Sequence, residues 1–254
     1  MRCLILGCVK DCEIYLDQVF NNIKQIQTCF IETKIILYYD KSNDNTLKKL
    51  KELKKKFPLE IIVGEKEPDE HRTINIEYAR NQLLDKMYNT RIYNKYDYFI
   101  MMDMDDACSE PIHIDILNKW LNKQQEWDAL SFHNKSYYDY WALAIGTYQG
   151  SCWADQVPYE TIYKMKNFLE AKFRKKDIVK VMSAFNGFAI HKKELFKDCK
   201  YQTLIDNYYD CEHKIFYKNS GRNVMITKDK LFDQYKGEHN VDEIMDKIKE
   251  LKSK

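Results

Sequence analysis

Residues 98–106, with the sequence YFIMMDMDD, place five apolar residues directly before an acidic run. The apolar residues predict a buried strand, and in open α/β sheets ligands bind beyond the carboxyl ends of the strands. Side chains two apart in an extended backbone point the same way, so Asp103 and Asp105 are expected to lie together. Two neighbouring carboxylates repel each other, and a divalent cation relieves that repulsion. The stretch therefore indicates either a metal site or an aspartate-rich turn.

The first part of the chain alternates between strand and helix patterns. Apolar runs at residues 4–9, 34–40 and 59–63 predict strands. Between them, apolar side chains recur at helical spacing over residues 13–28 and again over residues 47–53. A β-α-β-α-β order implies a parallel sheet with right-handed crossovers, which is an α/β fold.

The later segments predict further elements. Residues 74–88 are expected to form a helix with Tyr78, Leu83, Leu84 and Met87 facing inward, and Ser109 is expected to cap the next helix. Additional strands are expected at residues 183–190 and 224–226, with helical patterns near Lys192 and in the C-terminal tail. The glycine inside the 183–190 run indicates a bulge or a close backbone approach. No linker divides the chain, so one domain over residues 1–254 is expected.

Composition excludes several classes of protein. The net charge is +2, from 41 basic and 39 acidic residues, so no strong field for nucleic acid or membranes is implied. No stretch reaches the length of an apolar membrane span. The eight cysteines form no CxxC pair, and without a secretion signal we expect free thiols and a cytoplasmic location. With seven glycines, the sequence carries no Rossmann or P-loop fingerprint.

Two further segments allow a functional and a structural interpretation each. Residues 133–160 are dense in tyrosine and tryptophan, which suits either a surface on which carbohydrate stacks or an irregular core layer. Residues 210–213, Asp-Cys-Glu-His, place three groups that can take or hold a proton within four residues. The same run also fits a capped helix start with a solvated face.

Taken in order, several runs resemble glycosyltransferases of the GT-A fold. They are residues 4–9, residues 39–46 (YDKSNDNT), Ala79-Arg80-Asn81, Asp103-Met104-Asp105, Phe185-Asn186-Gly187 and residues 210–213. Residues 128–132, 138–143 and 211–213 together narrow the resemblance to glycosyltransferases encoded by large DNA viruses and, more distantly, to fungal capsule mannosyltransferases. The resemblance implies a single Rossmann-like α/β/α sandwich with a mostly parallel sheet. Residues 1–105 would form its nucleotide-binding half and residues 106–254 its acceptor and sugar half, in the host cytoplasm if the source is viral.

The resemblance also implies a nucleotide-sugar donor, with a UDP-sugar favoured, and a cation. Asp103 and Asp105 would hold Mn²⁺ or Mg²⁺ against the donor diphosphate. Many members of this fold complete the metal shell with a late histidine, which His239 matches and for which His213 competes. A mixed carboxylate and imidazole shell favours Mn²⁺. The other expected donor contacts come from Cys8, Val9, Asp40, Arg80 and Met104.

The resemblance places the acceptor chemistry in the second half. In inverting members a carboxylate takes the proton of the acceptor hydroxyl, and Glu212, with Asp210 beside it, occupies that place. Family members more often carry a Glu-Asp pair at this point, whereas this chain has Glu212-His213, so the identity of the base stays open. Retaining members use no such base. The expected sugar and acceptor contacts are Asp139, Trp141, Asn186 and Gly187. The acceptor would be a hydroxyl of a glycan or glycoconjugate.

Other functions remain alternatives. A haloacid-dehalogenase-like enzyme would carry its acids on the first strand, whereas three strands precede Asp103. A nucleotidyltransferase would need a glycine-rich loop after the first strand, which residues 6–10 do not supply. A non-catalytic protein that binds a nucleotide sugar or a glycan would bind the donor without turnover. The sequence leaves the sugar, the acceptor and the oligomeric state open.

Overall fold

An eight-stranded sheet organises the part of the chain that the computed structural model describes, which is residues 1–66, 69–133, 139–151, 158–205, 208–233 and 246. Its strands are β1 Arg2–Val9, β2 Glu32–Tyr39, β3 Leu59–Val63, β4 Tyr98–Met102, β5 Ala129–His133, β6 Ile178–Lys180, β7 Phe188–Lys192 and β10 Val224–Lys230. The strand order is β3-β2-β1-β4-β7-β5-β10-β6. Within it β7 is antiparallel to both neighbours and β6 is antiparallel to β10, while the other pairs are parallel. A separate ribbon pairs β8 Leu204–Ile205 with β9 Tyr208–Tyr209.

Helices cover both faces of this sheet. They are α1 Leu16–Gln27, α2 Thr46–Leu53, α3 Arg72–Asn89, α4 Ile114–Leu121, α5 Pro158–Phe173 and α6 Glu212–Ser220. Alternate side chains of a strand point to opposite faces. Cys3 and Ile5 of β1 therefore pack with α1, α2 and α4, whereas Leu4 and Leu6 pack with α3, α5 and α6. The predicted α/β/α sandwich with a mostly parallel sheet is confirmed.

The order of the parallel strands reverses beside β1. The chain runs from β1 through β2 to β3 in one direction, and β4 then pairs with the opposite edge of β1. Such a reversal leaves a crevice outside the carboxyl ends of the two strands that flank it. The residues that follow β1 and β4 therefore lie at this crevice.

Three local predictions were wrong. The helix expected at Ser109 begins at Ile114, because Ile112 forms an antiparallel bridge with Phe232 and keeps the chain extended. The run 183–190 is not one strand, since Asn186 and Gly187 have φ values of 56° and 81° and β7 begins only at Phe188. The helical pattern near Lys192 is the end of β7 followed by a 3-10 turn, Lys193–Phe196.

Two further predictions concern the helices. Leu83, Leu84 and Met87 of α3 are buried as expected, whereas Tyr78 is 36% exposed, at the edge of the helix face. The expected C-terminal helix and His239 lie outside the described residues. In the described ranges, no helix is both long enough and apolar enough to cross a membrane.

Candidate functional site

The two acids of the Asp-x-Asp run lie at the crevice beyond β4. The Asp103 backbone N–H donates to the Gly187 carbonyl, 2.8 Å away, which fixes this segment to the turn before β7. The Asp105 carboxylate accepts the Ala107 N–H at 3.1 Å and caps the 3-10 helix Asp106–Cys108. Both carboxylates are only partly buried, whereas Asp106 is buried. Asp103 and Asp105 can therefore face a ligand while the backbone between them is held.

Burial and a neighbouring charge act on Asp105. Removal from water disfavours its ionised form, and the Asp103 carboxylate adds repulsion, so the pKa of Asp105 is raised to about 7. Two acids that repel in this way are a favourable place for a cation.

Met104, between the two acids, points into the protein. Its side chain is buried over Gly7 of β1. A Cβ atom at residue 7 would collide with the Met104 side chain and lie 2.8 Å from the Met102 carbonyl oxygen, so only glycine allows β1 and the β4 end to approach this closely. Any donor contact from Met104 would come from its backbone, and its predicted role stays a prediction.

Arg80, on the inner face of α3, is the charge centre of the site. It is buried, and its guanidinium pairs with Asp103 Oδ1 at 3.2 Å and with Glu212 Oε1. It also lies 4.7 Å from the centre of the Phe185 ring. Burial alone lowers the pKa of Arg80, but Glu212 and Asp103 outweigh that effect and raise it above its ordinary value. Arg80 therefore stays charged and joins the Asp-x-Asp segment to the start of α6.

The acids at the start of α6 are buried and already paired. Glu212 forms an ion pair with Arg80. Asp210 accepts hydrogen bonds from Lys214 Nζ, at 3.1 and 3.4 Å, and from the Cys211 N–H. His213 stacks on Phe185 at 4.0 Å, with its Nε2 against the Arg80 guanidinium. Burial and the Arg80 charge lower the pKa of His213 well below its ordinary value, so the ring is neutral.

The residues that the sequence predicts to contact the sugar or the acceptor include a second hydrogen-bonded group. The Asp139 carboxylate accepts the N–H groups of Ala142 and Asn186, both at 3.2 Å, and the Asn186 side chain donates to the Phe132 carbonyl at 3.1 Å. Burial, then the charges of Asp103 and Glu212, raise the pKa of Asp139 to about 6. Trp141 is partly exposed, and its indole N–H donates to Ser151 at 3.0 Å.

The residues that the sequence predicts to contact the nucleotide lie at the same edge of the sheet. Cys8 and Val9 end β1, Asp40 directly follows β2, and the Asp40 N–H donates to the Val9 carbonyl at 2.9 Å. The Asp40 carboxylate pairs with Lys10 at 3.3 Å. Burial raises the pKa of the Cys8 thiol to about 12, so it is a neutral group.

Arg80 thus connects the Asp-x-Asp segment with Glu212, and the turn at Asn186 and Gly187 connects it with Asp139, whereas His239 lies outside the described residues. Sequence reasoning missed the pairing of Arg80 with Glu212 and of Asp210 with Lys214. A signal for the first was present, because Arg80 is three and four residues before Leu83 and Leu84 and so shares their inward face. Across the described ranges, no cluster of three or more His, Cys, Asp or Glu side chains is arranged to hold a metal ion.

Comparison with known proteins identifies the fold. No protein-family model and no curated protein sequence matches the chain. Among solved structures, TarS 1–349 from S. aureus in complex with UDP-GlcNAc is similar at 15% identity over 94% of this chain, with a TM-score of 0.52. The mannosyltransferase PcManGT from Pyrobaculum calidifontis, in complex with GDP-Man and Mn²⁺, is similar at 12% identity over 92% of this chain, with a TM-score of 0.55.

A third similar structure is glucosyl-3-phosphoglycerate synthase from Mycobacterium tuberculosis, in complex with Mn²⁺, UDP and phosphoglyceric acid. It shares 11% identity over 96% of this chain and 73% of its own, with a TM-score of 0.53. The chain spans 60% of TarS 1–349 and 56% of PcManGT. At these identities the similarity establishes the architecture, and the chain has the GT-A type of glycosyltransferase fold.

Proposed function

We propose that this protein is a metal-dependent glycosyltransferase that moves a sugar from a nucleoside diphosphate sugar to a hydroxyl of a glycan or glycoconjugate. The observation that carries the proposal is the position of Asp103 and Asp105, two partly exposed acids at the crevice where the strand order of a GT-A fold reverses. A ligand at that crevice meets both carboxylates.

The two carboxylates suit a cation that also binds the diphosphate of a nucleotide sugar. Mg²⁺ bound beside a phosphorylated substrate commonly takes one or two protein carboxylates, with phosphate oxygens and water completing its shell. Asp103 and Asp105 supply that number, and the described residues contain no cluster of three or more His, Cys, Asp or Glu side chains arranged to hold a metal ion. Mn²⁺ accepts the same oxygen ligands, and His239 is proposed as a further ligand.

The chain's own residues would position the donor. When bound, the cation would neutralise the charge that develops on the diphosphate as the glycosidic bond breaks. Arg80 holds Asp103 in place through its 3.2 Å pair and contributes positive charge from beneath the site. Cys8, Val9 and Asp40 lie where the base and ribose of the donor would bind, at the ends of β1 and β2.

The ligands of the similar structures support a choice of donor. Two of those structures hold UDP or a UDP-sugar and one holds GDP-Man, each bound to its own protein. We favour a UDP-sugar for this chain. Trp141, Asn186 and Gly187 are proposed to line the sugar pocket on the far side of the Asp-x-Asp segment.

The proposal is tested with a panel of UDP-, GDP- and dTDP-sugars in the presence of Mn²⁺. Release of free nucleoside diphosphate is measured for the wild type, for Asp105→Asn and for the control Asp198→Asn, which removes an exposed acid elsewhere on the surface. We expect the wild type and the control to consume one or two donors. Asp105→Asn should release nucleoside diphosphate from them at least about a hundredfold more slowly. Donor binding without any release by the wild type would instead identify a non-catalytic binding protein.

A further inference from the structure

The carboxylates near the crevice differ in what neutralises them. Glu212 is buried against the Arg80 guanidinium, and Asp210 is buried against the Lys214 ammonium. A carboxylate that is bound to a buried cation must lose that partner's stabilisation when it takes up a proton. Both acids are therefore poorly suited to accept a proton from a substrate.

Asp139 has a different environment. In the described part of the chain, the two hydrogen bonds to its carboxylate come from backbone N–H groups, those of Ala142 and Asn186. The side chain is only partly buried, and no Lys, Arg or His of the described ranges forms an ion pair with it. Its two anchors fix the direction of the carboxylate and leave lone pairs open to a ligand.

A short backbone path ties Asp139 to the Asp-x-Asp segment. Asn186 donates its N–H to Asp139, and the next residue, Gly187, accepts the N–H of Asp103. Asn186 and Gly187 both adopt left-handed φ values, a conformation that an L-residue such as asparagine adopts at a cost. This turn therefore links the Asp139 carboxylate to the segment that carries Asp103.

We infer that Asp139 is the catalytic base that receives the proton of the acceptor hydroxyl, and that Glu212 instead serves as the buried counter-charge of Arg80. The inference rests on the proposed glycosyltransferase function. An oxygen lone pair of the acceptor forms the new bond to the anomeric carbon. The bond from that carbon to the diphosphate oxygen breaks, and its electron pair leaves with the nucleoside diphosphate. The hydroxyl proton passes to Asp139, and the anomeric centre is inverted.

The test uses water as the acceptor probe and the donor that the wild type consumes in the panel. Donor hydrolysis and Mn²⁺-dependent UDP binding are measured for Asp139→Asn, Glu212→Gln and the control Asp198→Asn. We expect Asp139→Asn to bind UDP within about threefold of the wild type and to hydrolyse the donor about a hundredfold more slowly, the range of general-base catalysis. Glu212→Gln should keep hydrolysis within about tenfold but lower the melting temperature.

A second variant separates catalysis from a change in structure. Azide has no proton to lose, so Asp139→Ala with added azide should regain nucleotide release and form an inverted glycosyl azide, which mass spectrometry and NMR detect. The inference is overturned if Asp139→Asn hydrolyses the donor like the wild type, if it loses UDP binding to the same degree as hydrolysis, or if the transferred sugar keeps its anomeric configuration. Absence of turnover by the wild type with every donor is a separate result and would count against the proposed function itself.

Discussion

His191, in the middle of β7, is a buried titratable side chain with a structural role. Its ring stacks on Phe99 at 4.2 Å, and its Nε2 hydrogen-bonds the Tyr217 hydroxyl at 2.9 Å. Burial lowers the pKa of His191 from its ordinary 6.5 to about 3. The folded protein therefore keeps this ring neutral under conditions in which an unfolded chain would protonate it.

The pKa of His191 predicts how stability depends on pH. Because the folded pKa lies below the unfolded value, the unfolded state binds the extra proton, and stability is lost as the pH falls from 6.5 toward 3. Between pH 7 and pH 5 this group should remove about 2 kcal/mol from the free energy of unfolding. In urea unfolding, the free energy of unfolding of His191→Gln should fall less than that of the wild type between pH 7 and pH 5, by that amount. The control His113→Gln, at an exposed site, should show the same change in the free energy of unfolding between the two pH values as the wild type. An equal change in all three proteins would contradict the role of His191 in the pH dependence.

At the scale of elements, one side chain connects three parts of the fold. Arg80 on α3 pairs with Glu212 at the start of α6 and with Asp103 after β4. Removing one partner of a buried ion pair leaves an uncompensated charge and costs about 3 to 5 kcal/mol. The same loss at an exposed pair costs at most about 1 kcal/mol.

The expected result is that Arg80→Met lowers the free energy of unfolding by about 3 to 5 kcal/mol in urea titrations. The matched control is Lys200→Met, which breaks an exposed ion pair with Asp85 of the same helix. The double variant Arg80→Met, Glu212→Gln should recover part of the loss, because it also removes the stranded carboxylate. Equal stability of Arg80→Met and Lys200→Met would show that the buried pair contributes nothing.

The elements that sequence reasoning found are those with a strong local period. β1 to β4 and the helices between them combine apolar runs with helical spacing, and each was predicted within a few residues. Helix α5 was missed, since it follows an aromatic stretch without a clear period. The strand start at Phe188 and the helix start at Ile114 depend on a left-handed turn and on a bridge to Phe232. Neither the backbone angle nor the distant partner is visible in a local pattern.

At the scale of the whole molecule, the position of the site followed from the fold class. The sequence predicts an α/β sheet with ligands beyond the carboxyl ends of its strands, so the acids after β4 were expected to face a ligand. The insertion of β7 between β4 and β5 was not predictable, because it pairs segments more than fifty residues apart in the chain. That insertion brings Gly187 against Asp103, so the placement of the residues predicted to contact the sugar depends on long-range pairing. Asp139 owes its orientation to the same turn.

The acids after β4 are proposed to bind a nucleoside diphosphate through a cation. The most direct measurement is a crystal structure of the protein with UDP and Mn²⁺, with data collected at the manganese absorption edge. We expect one anomalous peak that is coordinated by Asp105, by Asp103 and by oxygens of the UDP diphosphate, at the crevice between β1 and β4. UDP bound at another surface, or bound at the crevice with no manganese peak beside these acids, would contradict binding of the diphosphate through a cation at Asp103 and Asp105.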